Sequence, residues 1–395
     1  MTKGAGRKTP PATESFPPDV HVAIMAGGSG TRFWPVSRRA LPKQLLPLAG
    51  QVPLIRQAWD RAAALCGADR IWVSAVRTQH DAIERALPGL RPDRFIGEPV
   101  PRNTAPALGL AALAIGRIDP QAIIIAMPAD HAIARPEELA RALGAAVEAA
   151  RQPGCLVTLG IAPARPETGY GWIETGPAVT GEARKVIRFT EKPDEATART
   201  FLSAGRYLWN SGMFVWRADS ILASIRECAP AIGEALDRID ASIGTPKERE
   251  ITKEAFAGLT PISIDHAVME KARNVAVVPA DPGWSDVGSW DAVAELAEKA
   301  VEHGNRGADA RTSDDHGVGA RASGPQPPDR VLMLDAAGCF VRVDPNSRRL
   351  IALVGVEDLI VVDTGDALLI CRKGASQKVG SVVKQLQERG RDDLL

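Results

Sequence analysis

Val22-Ala23-Ile24-Met25-Ala26 running straight into Gly27-Gly28-Ser29-Gly30-Thr31-Arg32 is the stretch that decides the fold. The short apolar run reads as a buried strand. The glycines after it let the backbone take unusual dihedrals and bring N–H groups close to an anion. Two familiar phosphate loops are excluded. A dinucleotide fingerprint needs a third glycine at position 33, where this chain has Phe33, and no Gly-Lys-Ser/Thr follows at the spacing of a Walker A loop. Outward from the loop, the apolar runs Ile71–Val76, Ala122–Met127 and Leu156–Ile161 alternate with helical patterns. Leu54, Ile55, Ala58, Ala62 and Leu65 share one helical face, and further helices are expected over Thr104–Ile115 and Pro136–Ala150. This rhythm predicts an α/β fold on a doubly wound, mainly parallel sheet. Ligands of such sheets sit beyond the carboxyl ends of the strands, so residues that immediately follow a strand carry extra weight.

Just past the glycines come Arg32, Arg38, Arg39 and Lys43, interleaved with Pro35, Ser37 and Pro42. Basic side chains there can neutralise a triphosphate. The whole chain of 395 residues balances 48 basic against 48 acidic side chains. That balance gives no support to a nucleic-acid or membrane-surface partner, which would need a basic face. No apolar run approaches the ~20 residues needed to span a bilayer. Five widely spaced cysteines without a zinc-type cluster (Cys66, Cys155, Cys228, Cys339, Cys371) suit a reduced, cytoplasmic protein.

Residues 1–19 read as a disordered polar tail, 20–303 as the main unit and 304–330, rich in Gly, Pro, Asp and Arg, as a linker or irregular loop. Residues 331–395 read as a small all-β unit: short apolar runs at Val331–Leu334, Leu350–Val354, Leu359–Val362 and Ala367–Cys371 precede a helical stripe of Val379, Val382, Val383 and Leu386. Exposed edges of these strands could pair two copies as a homodimer.

GGSGTRFWPVSR (27–38) followed by LPKQ (41–44) resembles the signature of sugar-nucleotide pyrophosphorylases of the mannose-1-phosphate guanylyltransferase type. Further motifs of that kind follow in order: EPVPRNTAPA (98–107), MPADH (127–131), PETGYGWIE (166–174), FTEKP (189–193), WNSGMFVW (209–216), SIDHAVMEK (263–271) and WSDVGSW (284–290). The resemblance continues through CFVRV (339–343) and GVEDLIVVDT (355–364). It implies a Rossmann-like nucleotide-diphospho-sugar transferase domain and a partial left-handed β-helix-like C-terminal domain. Longer relatives carry a cupin-type isomerase domain after the β segment, so a monofunctional transferase is expected here.

The resemblance also implies an activity: transfer of GMP from GTP to mannose 1-phosphate with release of pyrophosphate. Two acidic residues stand out in the sequence itself, Asp130 just past a strand and Asp286 in the Trp-Ser-Asp-Val-Gly-Ser-Trp setting. Two carboxylates from distant segments suit one Mg²⁺–nucleotide site, with Mn²⁺ left open. By resemblance both are metal-binding, and Asp130 also belongs to the nucleotide site. Ala26, Gly27, Gly28, Gly30, Thr31, Arg32, Lys43, Asn103 and Thr104 are expected to hold the nucleotide, with the glycine loop and the Arg102-Asn103-Thr104 segment reading the base. Tyr170, Gly171, Glu191 and Asn210 are expected to line the sugar pocket. Arg32, Lys43 and Lys192 carry the catalytic load: the first two face the triphosphate, and Lys192 neutralises the sugar phosphate. His131 reads as structural. A related transferase using another nucleotide or hexose phosphate is the nearest rival reading. A catalytically silent homologue would be expected to lack one of Arg32, Lys43, Asp130, Lys192 or Asp286, and all five are present.

Overall fold

The computed structural model describes residues 15–28, 30–305 and 330–395. Residues 1–14 of the expected tail and nearly all of the expected linker lie outside the described residues. Residues 15–19, assigned to the disordered tail, are instead tied down. The Phe16 N–H donates to Leu65 O at 2.8 Å, and its ring packs on the core. Arg70 adds to this by donating to Phe16 O at 3.1 Å, and Asp19 pairs with Arg151 at 2.6 Å.

The first half of the main sheet forms as the alternating pattern predicts. Strands β1 (Val20–Met25), β2 (Ile71–Val76), β3 (Phe95–Glu98) and β4 (Ile123–Pro128) are parallel neighbours in the order β3-β2-β1-β4. Helices α1 (Leu54–Cys66), α2 (His80–Ala86) and α3 (Thr104–Gly116) make the crossovers. Next come β5 (Ala132–Ile133), α4 (Pro136–Ala150) and β6 (Leu156–Ile161). Strands buried on both faces need continuous apolar runs, which is what β1, β2 and β4 supply.

The second half keeps the mainly parallel character but adds two strands, β8 (Ala183–Thr190) and β9 (Tyr207–Arg217), that run against the rest. Strands β7 (Trp172–Thr180) and β8 are joined through Gly181, whose φ is +52°, and a two-residue link permits only an antiparallel hairpin. After α5 (Glu195–Ala204), β9 inserts antiparallel between β4 and β6. Helices α6 (Ala218–Cys228), α7 (Pro230–Ser242) and α8 (Glu248–Ala257) follow, then β10 (Val275–Ala280), parallel to β6. One face of the sheet packs on α1 and α4, the other on α3, α6 and α7. Strand β11 (Trp284–Ser285) leads into α9 (Trp290–Asn305).

The C-terminal unit holds β12 (Val331–Leu334), β13 (Phe340–Val343), β14 (Ile351–Val354), β15 (Leu359–Asp363) and β16 (Leu368–Arg372), then α10 (Val379–Glu388). Val331 pairs in parallel with Ile351 and Phe340 with Ile360, the same offset of 20 residues in both, as in successive coils of a β-helix. β16 closes the unit antiparallel to β15. β13 escapes a reading based on apolar runs because Arg342 interrupts it. That guanidinium is held inside, donating to Pro47 O at 3.1 Å and lying 5.9 Å from the Trp290 ring.

A third core welds the two units together. Phe33, Trp34, Leu46, Leu54, Val287 and Trp290 pack with Phe340, Ile360, Val362, Val379 and Val383. A polar clasp sits beside it. The Asp291 carboxylate accepts the N–H of Gly374 at 2.6 Å, the N–H of Ser376 at 3.3 Å and the Ser376 hydroxyl, while Ser376 Oγ accepts the Asp291 N–H at 3.1 Å. Asp291→Ala strips those backbone donors of their acceptor and is expected to cost about 1–2 kcal/mol, as loss of a helix cap does. A urea midpoint unchanged from the native protein would show that the clasp contributes nothing.

Candidate active site

The sheet edge assembles the site. The Ala129 N–H donates to Met25 O at 3.0 Å, so the loops after β1 and β4 leave the edge side by side. β5 and β11 then form a two-residue antiparallel ladder, Ala132 opposite Ser285 and Ile133 opposite Trp284. That ladder brings Asp130, just before β5, next to Asp286, just after β11.

Lys43 joins them. Its Nζ donates to Asp130 Oδ2 at 2.6 Å and to Asp286 O at 2.7 Å. Gly30 permits this approach: its φ is +61°, and a Cβ there would lie 2.6 Å from Lys43 Cβ and 2.7 Å from Lys43 N. Burial pushes the Asp130 carboxyl upward, but the charge of Lys43, with help from His131 and the Lys43 hydrogen bond, outweighs it and holds the group below the usual range. Burial drives His131 down to about 4, so its ring is neutral and Nδ1 accepts the Trp284 Nε1–H at 3.1 Å. That contact ties β11 to the loop before β5.

Asp286 Oδ1 accepts the Tyr170 hydroxyl at 2.7 Å. Burial and the Asp286 charge both raise the Tyr170 phenol far above its ordinary value, so it stays a donor. Its ring is wedged edge-on between Trp284 and Trp209, with centroids at 5.1 and 5.4 Å. The sequence places Tyr170 in the sugar pocket. The structure places its hydroxyl on a carboxylate expected to hold metal.

Gly171, Glu191, Lys192 and Asn210 come together beside this centre. Gly171 O accepts the Asn210 N–H at 2.8 Å, and a Cβ on Gly171 would lie 2.6 Å from Glu191 Oε2. Lys192 Nζ pairs with Glu191 Oε1 at 2.5 Å, and its N–H donates to Tyr170 O at 3.2 Å. Asn210 is held on both sides of its amide: Oδ1 accepts from Thr158 Oγ1 and the Gly212 N–H, and Nδ2 donates to Asp265 Oδ1 at 2.8 Å. Asp265 was not singled out from the sequence. It is buried, and burial together with the nearby Glu191 pushes its carboxyl up to about 6. Its one detectable signal is position: it heads a single π-helical turn, Asp265–Met269, a feature common at functional sites.

Other expected residues are engaged differently. The side chains of Asn103 and Thr104 are occupied locally, Asn103 Oδ1 by the Thr104 N–H and Thr104 Oγ1 by the Ile264 N–H. Arg102 donates to Phe256 O and Ala257 O, both at 2.8 Å. Arg32 reaches from the glycine loop to Gly288 O and to Gln377 Oε1 of the C-terminal unit, both at 3.3 Å. Ala26, Gly27, Gly28 and Thr31 lie along the loop that leaves β1; Ala26 is buried and its N–H donates to Ser74 O at 2.8 Å.

Residues 21–303 match the model of the nucleotidyl transferase family. The chain belongs to that family. This nucleotidyl transferase also matches, over residues 329–386, the MannoseP isomerase/GMP-like beta-helix domain. It is 39% identical over 379 residues to the xanthan biosynthesis protein XanB of Xanthomonas campestris pv. campestris (strain B100), covering 95% of this chain and 75% of that protein. It is 35% identical over 393 residues to the mannose-1-phosphate guanylyltransferase of Escherichia coli (strain K12), again covering 95% and 75%. Among solved structures, the mannose-1-phosphate geranyltransferase from Thermus thermophilus superposes with a TM-score of 0.78 at 33% identity, covering 93% of this nucleotidyl transferase and 99% of that chain.

Proposed function

We propose that this chain transfers GMP from GTP to α-D-mannose 1-phosphate, giving GDP-mannose and pyrophosphate. The observation that carries the reading is the convergence of Lys43, Asp130 and Asp286 at the sheet edge beside the glycine loop. The relatives named for mannose-1-phosphate guanylyltransferase supply the substrate pair.

A phosphate oxygen of the sugar phosphate forms the new bond to the α-phosphorus as the bond to pyrophosphate breaks. A phosphate monoester has its second pKa near ~6, so the nucleophile is already ionised at neutral pH and no general base is needed. The residues work by holding two anions in line and offsetting their repulsion. The glycine-loop amides and Thr31 cradle the triphosphate, with Arg32 and Lys43 facing it. Lys192 neutralises the sugar phosphate, and Glu191, Gly171 and Asn210 hold the sugar hydroxyls.

Asp130 and Asp286 would hold the divalent metal. Two carboxylates without a soft ligand suit Mg²⁺, and the Lys43 ammonium already sits between the Asp130 carboxylate and the Asp286 carbonyl, where positive charge is favoured. When bound, Mg²⁺ offsets charge on the phosphate oxygens and the leaving group. Tyr170 then acts as a positioning residue that fixes the Asp286 carboxylate. Tyr170→Phe keeps the ring packing and loses one charge-assisted hydrogen bond of about 1.5 kcal/mol, so turnover is expected to fall about tenfold, with a higher Mg²⁺ requirement. Equal loss at all Mg²⁺ concentrations would argue against the positioning role.

A reducing, cytoplasmic setting accords with five free cysteines, and no helix among the described residues is long and apolar enough to cross a membrane. Leu332, Leu334 and Val354 stay exposed on β12 and β14, the face through which a homodimer would form.

The test is pyrophosphate release with each of four nucleoside triphosphates against mannose 1-phosphate and glucose 1-phosphate, with and without Mg²⁺. Metal-dependent turnover greatest for GTP with mannose 1-phosphate is expected. A different preferred pair would overturn the specificity while keeping the mechanism.

A further inference from the structure

One short element touches two parts of the candidate sugar-phosphate pocket. The π-helical turn Asp265–Met269 buries Ala267, Val268 and Met269 in the core and carries a carboxylate at either end, Asp265 and Glu270. The Glu270 N–H donates to Asp265 O at 2.9 Å, the i→i+5 bond that defines such a turn. In an α-helix five residues span about 1.4 turns, so the two side chains would leave on different faces. The π-turn instead brings position 270 back over position 265. Its entry is fixed as well, because the Ile264 N–H donates to Thr104 Oγ1 at 2.9 Å, where α3 begins.

Each carboxylate meets a different pocket residue. Asp265 Oδ1 accepts from Asn210 Nδ2 at 2.8 Å, which ties the turn to β9. Glu270 Oε1 accepts the main-chain N–H of Glu191 at 3.1 Å, and its Oε2 lies 3.0 Å from His266 Nδ1. The next residue, Lys192, has a φ of +45° and donates its N–H to Tyr170 O at 3.2 Å. A residue with a side chain is costly in this left-handed region and stays there only where its surroundings over-determine it. Here two consecutive N–H groups are pinned, one by Glu270 and one by Tyr170. The Glu270 side chain is itself 29% exposed, so it adds little to the core, and its contribution lies in these bonds.

We propose that Glu270 is a positioning residue: through the Glu191 N–H it fixes the backbone that aims the Lys192 ammonium at the sugar phosphate. Glu270 does not touch substrate. Without it the peptide before Lys192 relaxes, and the cation moves away from the place where it offsets the charge of the phosphate. This proposal rests on the role given to Lys192 in the transfer stated above.

The test is steady-state turnover with Mg²⁺, varying GTP and mannose 1-phosphate in turn, with a melting curve for each variant. Glu270→Ala is expected to lower kcat/KM for mannose 1-phosphate about tenfold, the worth of one charge-assisted hydrogen bond. KM for GTP should change by less than about twofold. Glu270→Gln keeps an acceptor for the Glu191 N–H and offers a donor to His266 Nδ1, so it should stay within about threefold of the native enzyme. In a Lys192→Met background, where no ammonium is left to aim, Glu270→Ala should add less than about twofold. Equal losses toward both substrates would overturn the proposal. So would a Glu270→Ala enzyme with native kinetics, a Glu270→Gln enzyme as impaired as Glu270→Ala, or a full further loss in the Lys192→Met background. A native enzyme that accepts another hexose phosphate and not mannose 1-phosphate would overturn the transfer reading itself. The same variants compared on that hexose phosphate would still decide the role of Glu270.

Discussion

Asp286→Asn is expected to lower turnover by about 10²–10³-fold or more, with the fold intact. The substitution keeps the shape of the side chain, and its amide oxygen can still accept the Tyr170 hydroxyl that Asp286 Oδ1 now accepts at 2.7 Å. The main-chain carbonyl that receives Lys43 Nζ at 2.7 Å is untouched. What disappears is one negative charge, and with it one of two carboxylates proposed for the metal. Among the described residues Asp286 makes no ion pair, so thermal stability should change by less than about 1 kcal/mol. The measurement is kcat across a Mg²⁺ titration, alongside a melting curve. An Asp286→Asn enzyme with turnover near that of the native protein would remove Asp286 from the metal site.

Lys43→Met should have two separable effects. The Lys43 side chain is 11% exposed and that of its partner Asp130 24%, so the pair is largely but not wholly shielded. Breaking a buried pair from one side costs about 3–5 kcal/mol, and partial solvent access to Asp130 reduces that to roughly 1–3 kcal/mol here. Turnover should fall by about 10²–10³-fold, because a cation aimed at the developing charge is lost. The double variant Lys43→Met with Asp130→Asn separates the effects. With neither charge present, stability should return toward the native value, since removing both partners leaves no buried ion unpaired. Turnover should stay low. Recovery of activity in the double variant would mean that Lys43 serves only to neutralise Asp130.

The strand–loop–helix opening was legible because each signal is local. β2, β6 and α4 have the bounds that their apolar periodicity marks, and the glycines sit where the chain leaves β1. The meeting of Asp130 with Asp286 was not legible from pattern. It depends on the pairing of Ala132 with Ser285, two short segments far apart in sequence that look like turns when taken alone. The antiparallel insertion of β9 was hidden for a related reason: a strand buried on both faces has the same composition whichever way it runs. Charged residues were the other blind spot. Glu98, Asp265 and Arg342 lie within quoted motifs without being singled out, because an interior partner such as Ser74, Asn210 or Pro47 O lies too far along the chain to be paired with them in advance. The motif resemblance marks Lys43, Asp286 and Lys192 as candidates, but does not show that Tyr170 turns its hydroxyl to a carboxylate.

Arg32 and Gln377 touch across 345 positions of chain, next to the Asp291–Ser376 clasp. The glycine loop and the end of the β unit are therefore joined by a direct side-chain contact. By thermodynamic linkage, a ligand that ordered the glycine loop through Arg32 would strengthen the contact with Gln377 only by as much as it prefers that arrangement. A substitution at Gln377 is then expected to shift the affinity of such a ligand while leaving Lys43, Asp130 and Asp286 in place.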